Sequence, residues 1–228
     1  MSSRDPIVTT IFCIMGKSGS GRSTIVRYIL DDSKFVEKIK LNKLVYGTTR
    51  PMKATDIEGE TFFFMSKEEF ENIDTEEIIE SRSYDTIYNE IYEYFTLKDY
   101  INFGKTYILK SSVFQYEEYK KWADLMQLKY PMLRIYIYPI IIHCPIFERH
   151  RRLINKASTE DDVYKICTEI IRERYEFNEV VKNNLEIADN MNPNTLVLEN
   201  STGDKKQLLI IKNDIEKFIE NKLILQAR

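Results

Sequence analysis

Histidine, cysteine and glycine are scarce in this chain, with two, three and seven residues among 228, and each shortage closes off a kind of chemistry. His143 and His150 are too few for a histidine-based metal centre, and the adjacent Cys144 adds no paired ligand spacing. Cys13, Cys144 and Cys167 are odd in number and far apart, which excludes a disulfide framework and fits reduced, mostly buried thiols. There is no C-x-x-C, G-x-S-x-G or H-E-x-x-H. No apolar run approaches the roughly 18 residues of a membrane helix. The opening MSSRDPIVTT lacks the charged, apolar and small-residue regions of a signal peptide, so a cytoplasmic protein without a membrane partner is expected. An excess of one charge is missing too. With 33 Lys and Arg against 36 Asp and Glu, and no basic block, a nucleic-acid partner is not expected.

What the chain has is an α/β alternation of a size suited to one domain. PIVTTIFCIM is a β-branched apolar run suited to a buried parallel strand, and RSTIVRYIL after it has helical apolar spacing. KLVYGT, KTYILK and LRIYIYPIIIHC read as further strands, with Pro139 expected to bend the last or place it on an edge. FQYEEYKKWADLMQLKY between the last two reads as a helix, which gives a βαβ order and a parallel sheet flanked by helices. From Tyr46 to Phe103 the texture changes to short aromatic runs between acidic segments, a mixed insert in which Ser66 and Glu69 form a capping-box pattern. Two helices broken near NKASTEDD, where Ser158 or Thr159 could cap the second, precede a last strand, TLVLE, and a closing amphipathic helix.

Three of the seven glycines fall within GKSGSG, between the first strand and the first helix. Glycines there let successive backbone N–H groups converge on phosphate oxygens, and the helix adds its positive end. Gly16, Lys17, Ser18, Gly19, Ser20, Gly21, Arg22, Ser23 and Thr24 are therefore the candidate ATP-binding loop, with Ser23 at the hydroxyl position that would ligate Mg2+. The plainer alternative is a glycine-rich turn that binds nothing. In the phosphate-loop pattern a lysine stands where this chain has Arg22, which keeps the charge but spreads it over a planar fork. Phosphate binding should survive that exchange better than transfer, which needs charge where it develops in the transition state.

YGTTRPMKATDIEGETFFFMSKEEFENI, together with the loop about thirty residues earlier, resembles the acceptor-binding segment of guanylate kinases. That resemblance implies a phosphate-loop α/β fold with a small mixed α+β acceptor insert and a helical lid. Within a single domain of residues 1–228, it places the core at 1–45, 104–147 and 166–228, the insert at 46–103 and the lid at 148–165. Arg50 matches an acceptor-phosphate arginine, Lys53 stands where a second arginine is usual, and Phe62 replaces a phosphate-binding tyrosine. Tyr94 matches the other phosphate-contacting tyrosine, Glu80 the guanine-reading glutamate, and Ser112 falls where a second acidic base-reader is common. Arg149 and Arg152 resemble the lid arginines that close on ATP, Glu169 occupies the place of a further one with Arg172 nearby, and Asn200 lies in an adenine-side loop.

The activity so implied is Mg-dependent transfer of the ATP γ-phosphoryl group to GMP or dGMP, with Arg22, Arg50, Arg149 and Arg152 as the catalytic cations. The five departures, Arg22, Lys53, Phe62, Ser112 and Glu169, leave two alternatives: a nucleotide-binding module without turnover, or a kinase for another nucleotide.

Overall fold

A computed structural model describes residues 5–85, 90–160, 162–171, 173 and 193–227. The first strand, β1 (Ile7–Met15), is buried almost throughout. α1 (Arg22–Leu30) begins at once after Gly21, and α2 (Ser33–Ile39) is capped by Asp32, whose side chain accepts from the Phe35 N–H. β2 (Leu41–Lys43) follows, then β3 (Gly47–Thr48) and β4 (Phe63–Phe64). α3 (Lys67–Glu71) carries the reciprocal Ser66–Glu69 capping box expected from the sequence. β5 (Ile78–Asp85), β6 (Ile91–Leu97) and β7 (Thr106–Lys110) lead to the long α4 (Val113–Lys129). β8 (Leu133–His143), α5 (Ile146–Ile154) and a helical stretch over 162–171, α6, come next, with Glu173 also helical. Thr159 caps that stretch: its hydroxyl accepts from the Asp162 N–H at 3.1 Å and its own N–H returns to the Asp162 carboxylate. β9 (Leu196–Glu199) and α7 (Lys205–Gln226) close the chain.

The main sheet has the order β2-β7-β1-β8-β9 and every pairing in it is parallel. One face, with Ile11, Leu109 and Ile141, packs on α4 through Tyr119 and Trp122; the other, with Phe12, Ile108 and Ile140, packs on α1 and α7 through Ile25 and Ile215. A parallel strand covered on both faces must be apolar throughout, which is why β1 reads as an unbroken hydrophobic run. The expected α/β fold is therefore present.

Two local expectations differ from the structure. β8 lies inside the sheet and runs straight through Pro139, pairing with β1 on either side of it. β9 pairs only from Ile140 onward, so a missing N–H at 139 falls beside an open flank. KLVYGT is not one strand: Leu44 N–H still donates to the Ile108 carbonyl of the main sheet, whereas the Tyr46 carbonyl accepts from Phe63 of a second sheet. That second sheet, order β4-β3-β6-β5, is mixed and lies between 47 and 97 in the chain.

Candidate nucleotide site

The glycine loop sits at the C-terminal ends of parallel strands, where α/β sheets present their ligand crevice. Gly21 has φ 100° and a Cβ there would meet Asn200 Nδ2 at 2.5 Å; Gly19 has φ 81° and would meet the Arg149 carbonyl at 2.7 Å. Left-handed backbone and close packing together leave room only for glycine at both places. Ser23 stands exposed in the first turn of α1 with Thr24 half-buried behind it, and Lys17 is half-buried. Burial and the Arg149 charge hold the Lys17 ammonium below its ordinary pKa, against the pull of Glu173.

The loop already receives anions. Ser18 N–H donates to the Glu173 carboxylate and Ser18 Oγ donates to that of Glu169, both from α6 and its continuation. Carboxylate oxygens thus stand where phosphate oxygens would sit. Arg149 is 4% exposed; its Nη1 donates to Glu173 at 2.8 Å and to the Ser18 carbonyl at 3.1 Å. Arg152 donates to the carbonyls of Gly19 at 3.3 Å and Asn200 at 3.1 Å, with its Nε on Glu148. Asn200 is fully buried and donates to the Ser20 carbonyl at 2.7 Å, which ties the end of β9 to the loop. Among the described residues, Ser20 Oγ in the loop and Asn200 Oδ1 beside it are buried without a hydrogen-bond partner; of the two, only the Ser20 hydroxyl could donate to an anion. Arg172 lies outside the described residues.

Arg22 donates Nη1 to the Ser111 carbonyl at 2.8 Å. Burial holds its guanidinium below its ordinary pKa, while Glu173 and Glu169, and more weakly Tyr46 and Tyr84, pull the other way. Tyr46, where the chain enters the second sheet, donates its hydroxyl to the Lys110 carbonyl, one residue before the carbonyl that Arg22 holds, so the second sheet meets the loop at the end of β7.

Within the insert, Arg50 lies over the rings of Phe62 and Phe64 at 5.3 and 5.5 Å and pairs with Asp56 at 2.9 Å. Lys53 donates its backbone N–H to the same carboxylate at 2.7 Å. That N–H, together with Arg50, keeps Asp56 below its usual carboxylate range despite some desolvation. Phe62 packs edge-on against Tyr94, and Tyr94 against Tyr84, so an aromatic shelf supports the arginine.

At the other end of the insert, Glu80 is 3% exposed and accepts from Thr96 Oγ1 at 2.9 Å, Gln115 Nε2 at 3.1 Å and Arg82 Nε at 3.1 Å. Ser112 caps α4: its hydroxyl accepts from the Gln115 N–H at 3.2 Å, and the Gln115 side chain takes the Ser112 N–H while its Nε2 reaches Glu80. Arg82, Gln115, Glu173 and Lys110 were not singled out by the sequence reading. Arg82 lies two residues from Glu80 on one strand face, and Glu173 four from Glu169 on one helix face, spacings that could have flagged both.

A parallel sheet with a glycine loop entering its first helix, abutted by a small mixed sheet that carries a shelved arginine, defines a nucleotide-kinase type of α/β protein. The family model for guanylate kinase matches residues 8–189, and the chain belongs to that family of nucleoside monophosphate kinases. It is 29% identical over 216 residues to the guanylate kinase of Mycoplasmoides gallisepticum, spanning 92% of this chain and 88% of that protein. A local match to the guanylate kinase of Mycoplasma pneumoniae is 41% identical over 63 residues, 28% of this chain and 25% of that protein's length. In fold it is similar to the crystal structure of guanylate kinase from Anaplasma phagocytophilum, with TM-score 0.50 and 16% identity over 96% of this chain and 87% of that one.

Proposed function

We propose that this chain transfers the γ-phosphoryl group of ATP to GMP or dGMP. The observation that carries this reading is the meeting of the two halves at the end of β7: Tyr46, where the chain enters the second sheet, donates its hydroxyl to the Lys110 carbonyl, and Arg22 of the loop donates to the next carbonyl, that of Ser111. ATP phosphates take the Ser18 N–H and hydroxyl now facing Glu173 and Glu169, and release of Glu173 turns Arg149 toward the incoming charge. Arg50 and Lys53 hold the acceptor phosphate, and the rings of Phe62 and Tyr94 fix its approach. No covalent intermediate is needed; positioning and charge neutralisation carry such a transfer. Mg2+ would supply charge neutralisation on the phosphates, and the exposed Ser23 hydroxyl, an oxygen donor suited to that hard cation, is the residue that would hold it. Packing of α5 and α6 on the loop would exclude water and so favour the acceptor over hydrolysis. Arg22 retains charge but is tied to Ser111, which fits slow transfer.

One observation favours a second reading. A carboxylate has about four acceptor sites, and Glu80 already serves three donors. Reading guanine N–H groups would require Arg82 or Gln115 to yield, so a base other than guanine is the alternative acceptor.

A coupled assay of ADP release across all nucleoside and deoxynucleoside monophosphates tests both. GMP or dGMP should be the best acceptor. Turnover confined to another base selects the second reading. ATP binding without turnover on any acceptor makes the chain a binding module.

A further inference from the structure

We propose that Lys110, at the end of β7, is the phosphate-contacting cation of the donor site, and that Arg22 positions it by holding the neighbouring Ser111. This rests on the ATP site of the reading above. Tyr107 and Leu109 face the α4 side of the sheet and Ile108 faces α1. Side chains alternate along a strand, so Lys110, two residues beyond Ile108, projects on the α1 face past the end of the sheet. Its backbone pairs with Ile14, two residues before Gly16, and α1 begins there with Arg22. The strand end is pinned from both flanks: Arg22 Nη1 donates to the Ser111 carbonyl at 2.8 Å and Tyr46 OH donates to the Lys110 carbonyl at 2.5 Å.

Lys110 reaches solvent at the strand end although protein crowds its other sides, and, among the described residues, its ammonium has no hydrogen bond or ion pair. Around it are Arg22 from α1, Arg82 from β5 and Lys43 from β2, with Glu169 from α6 as the opposing charge. Of these four cations, Arg82 is paired with Glu80, Lys43 donates to the Glu60 carbonyl and Arg22 to the Ser111 carbonyl, which leaves the Lys110 ammonium, among the described residues, to meet an anion. Burial and then Arg22 lower the Lys110 pKa to about 8, with Arg82 and Lys43 adding and Glu169 opposing. A polyphosphate reverses that balance. Arg22 is too broad and too firmly tied to follow a phosphoryl group, whereas a compact ammonium on the adjacent strand end can.

The test is calorimetric titration of ATP at about pH 8 in two buffers of different ionisation enthalpy, with thermal melting as a folding control. The wild-type protein should take up about half a proton per ATP, because a lysine near its pKa is half charged when free and fully charged against phosphate. Lys110→Met should bind ATP roughly ten- to hundredfold more weakly, with no uptake. Arg22→Lys in that background should recover part of the affinity. If Lys110→Met fails to melt cooperatively, Lys110→Arg decides: retained affinity without uptake supports the proposal, and retained uptake overturns it. Wild-type affinity and uptake in Lys110→Met, or no ATP binding by the wild-type protein, also overturn it. None of these readouts needs turnover, so an inactive acceptor screen with proton-linked ATP binding would sink the kinase reading and leave Lys110 in place.

Discussion

The donor and acceptor sides of the crevice are both internally satisfied, but from opposite distances along the chain. Arg50 leans on Asp56, six residues away, and Glu80 on Arg82, two residues away, as well as on Thr96 and Gln115, 16 and 35 residues away. The loop draws on Glu173, 155 residues from Ser18, and on Arg149, 131 residues from it. Local partners come with their own strand or turn and preset Arg50, whereas Glu80 also needs β6 and α4 in place. Distant partners arrive only when α5 and α6 pack on the loop, so the donor side depends on where those helices stand. Nucleotide binding should therefore rearrange the donor side and leave the acceptor side largely as it is.

The sharpest way to separate the two is Arg50→Ala. Loss of charge-assisted hydrogen bonds to the acceptor phosphate should cost about 3 kcal/mol, roughly a hundredfold in kcat/KM for the acceptor, with ATP affinity unchanged. Steady-state kinetics with each nucleotide varied in turn checks this; a comparable loss of ATP affinity would break the comparison. Next in size, Glu80→Gln leaves Arg82 without its carboxylate in a mostly buried pair and should lower stability by about 2 kcal/mol in denaturant unfolding. The same variant should relax discrimination between bases.

Glu173→Gln should act in the opposite sense on the donor side. It removes the internal anion from the Ser18 N–H and frees Arg149, so ATP should bind about tenfold more tightly while the ligand-free protein melts lower. Weaker ATP binding would mean that Glu173 builds the cradle and does not compete for it. The smallest effect concerns Glu148, whose hydrogen bonds from Arg151 and then Arg152 lower its carboxyl from 4.5 to about 2. A lowered carboxylate stabilises the fold above its ordinary pKa and loses that contribution as pH falls through the folded value. The melting difference between wild type and Glu148→Gln should thus stay level above about pH 4.5 and vanish towards pH 2.

What could be read in the sequence follows the same division. The glycine loop, the T-T-R segment and the Ser66–Glu69 cap are each written within a few consecutive residues, and backbone geometry at those places is dictated locally. The α/β order was legible because a two-face-buried strand and an amphipathic helix have different periods. KLVYGT was misread as one strand because period cannot tell which neighbour a strand pairs with, and this run changes sheet between Leu44 and Tyr46. Lys110 has the sequence signature of a polar strand end, and the charges of α1, β2, β5 and α6 that act on it come together only in the fold. Ser112 carries a feature that its family position does not convey: the local Ser112–Gln115 box makes it the cap of α4.

The claim that both halves serve one reaction is tested most directly by following the phosphorus. Incubating the protein with ATP labelled at the γ-phosphate and with GMP or dGMP should yield unlabelled ADP and an acceptor diphosphate carrying the label at its β-position. Label released only as inorganic phosphate, or retained in ATP with every acceptor offered, would contradict it.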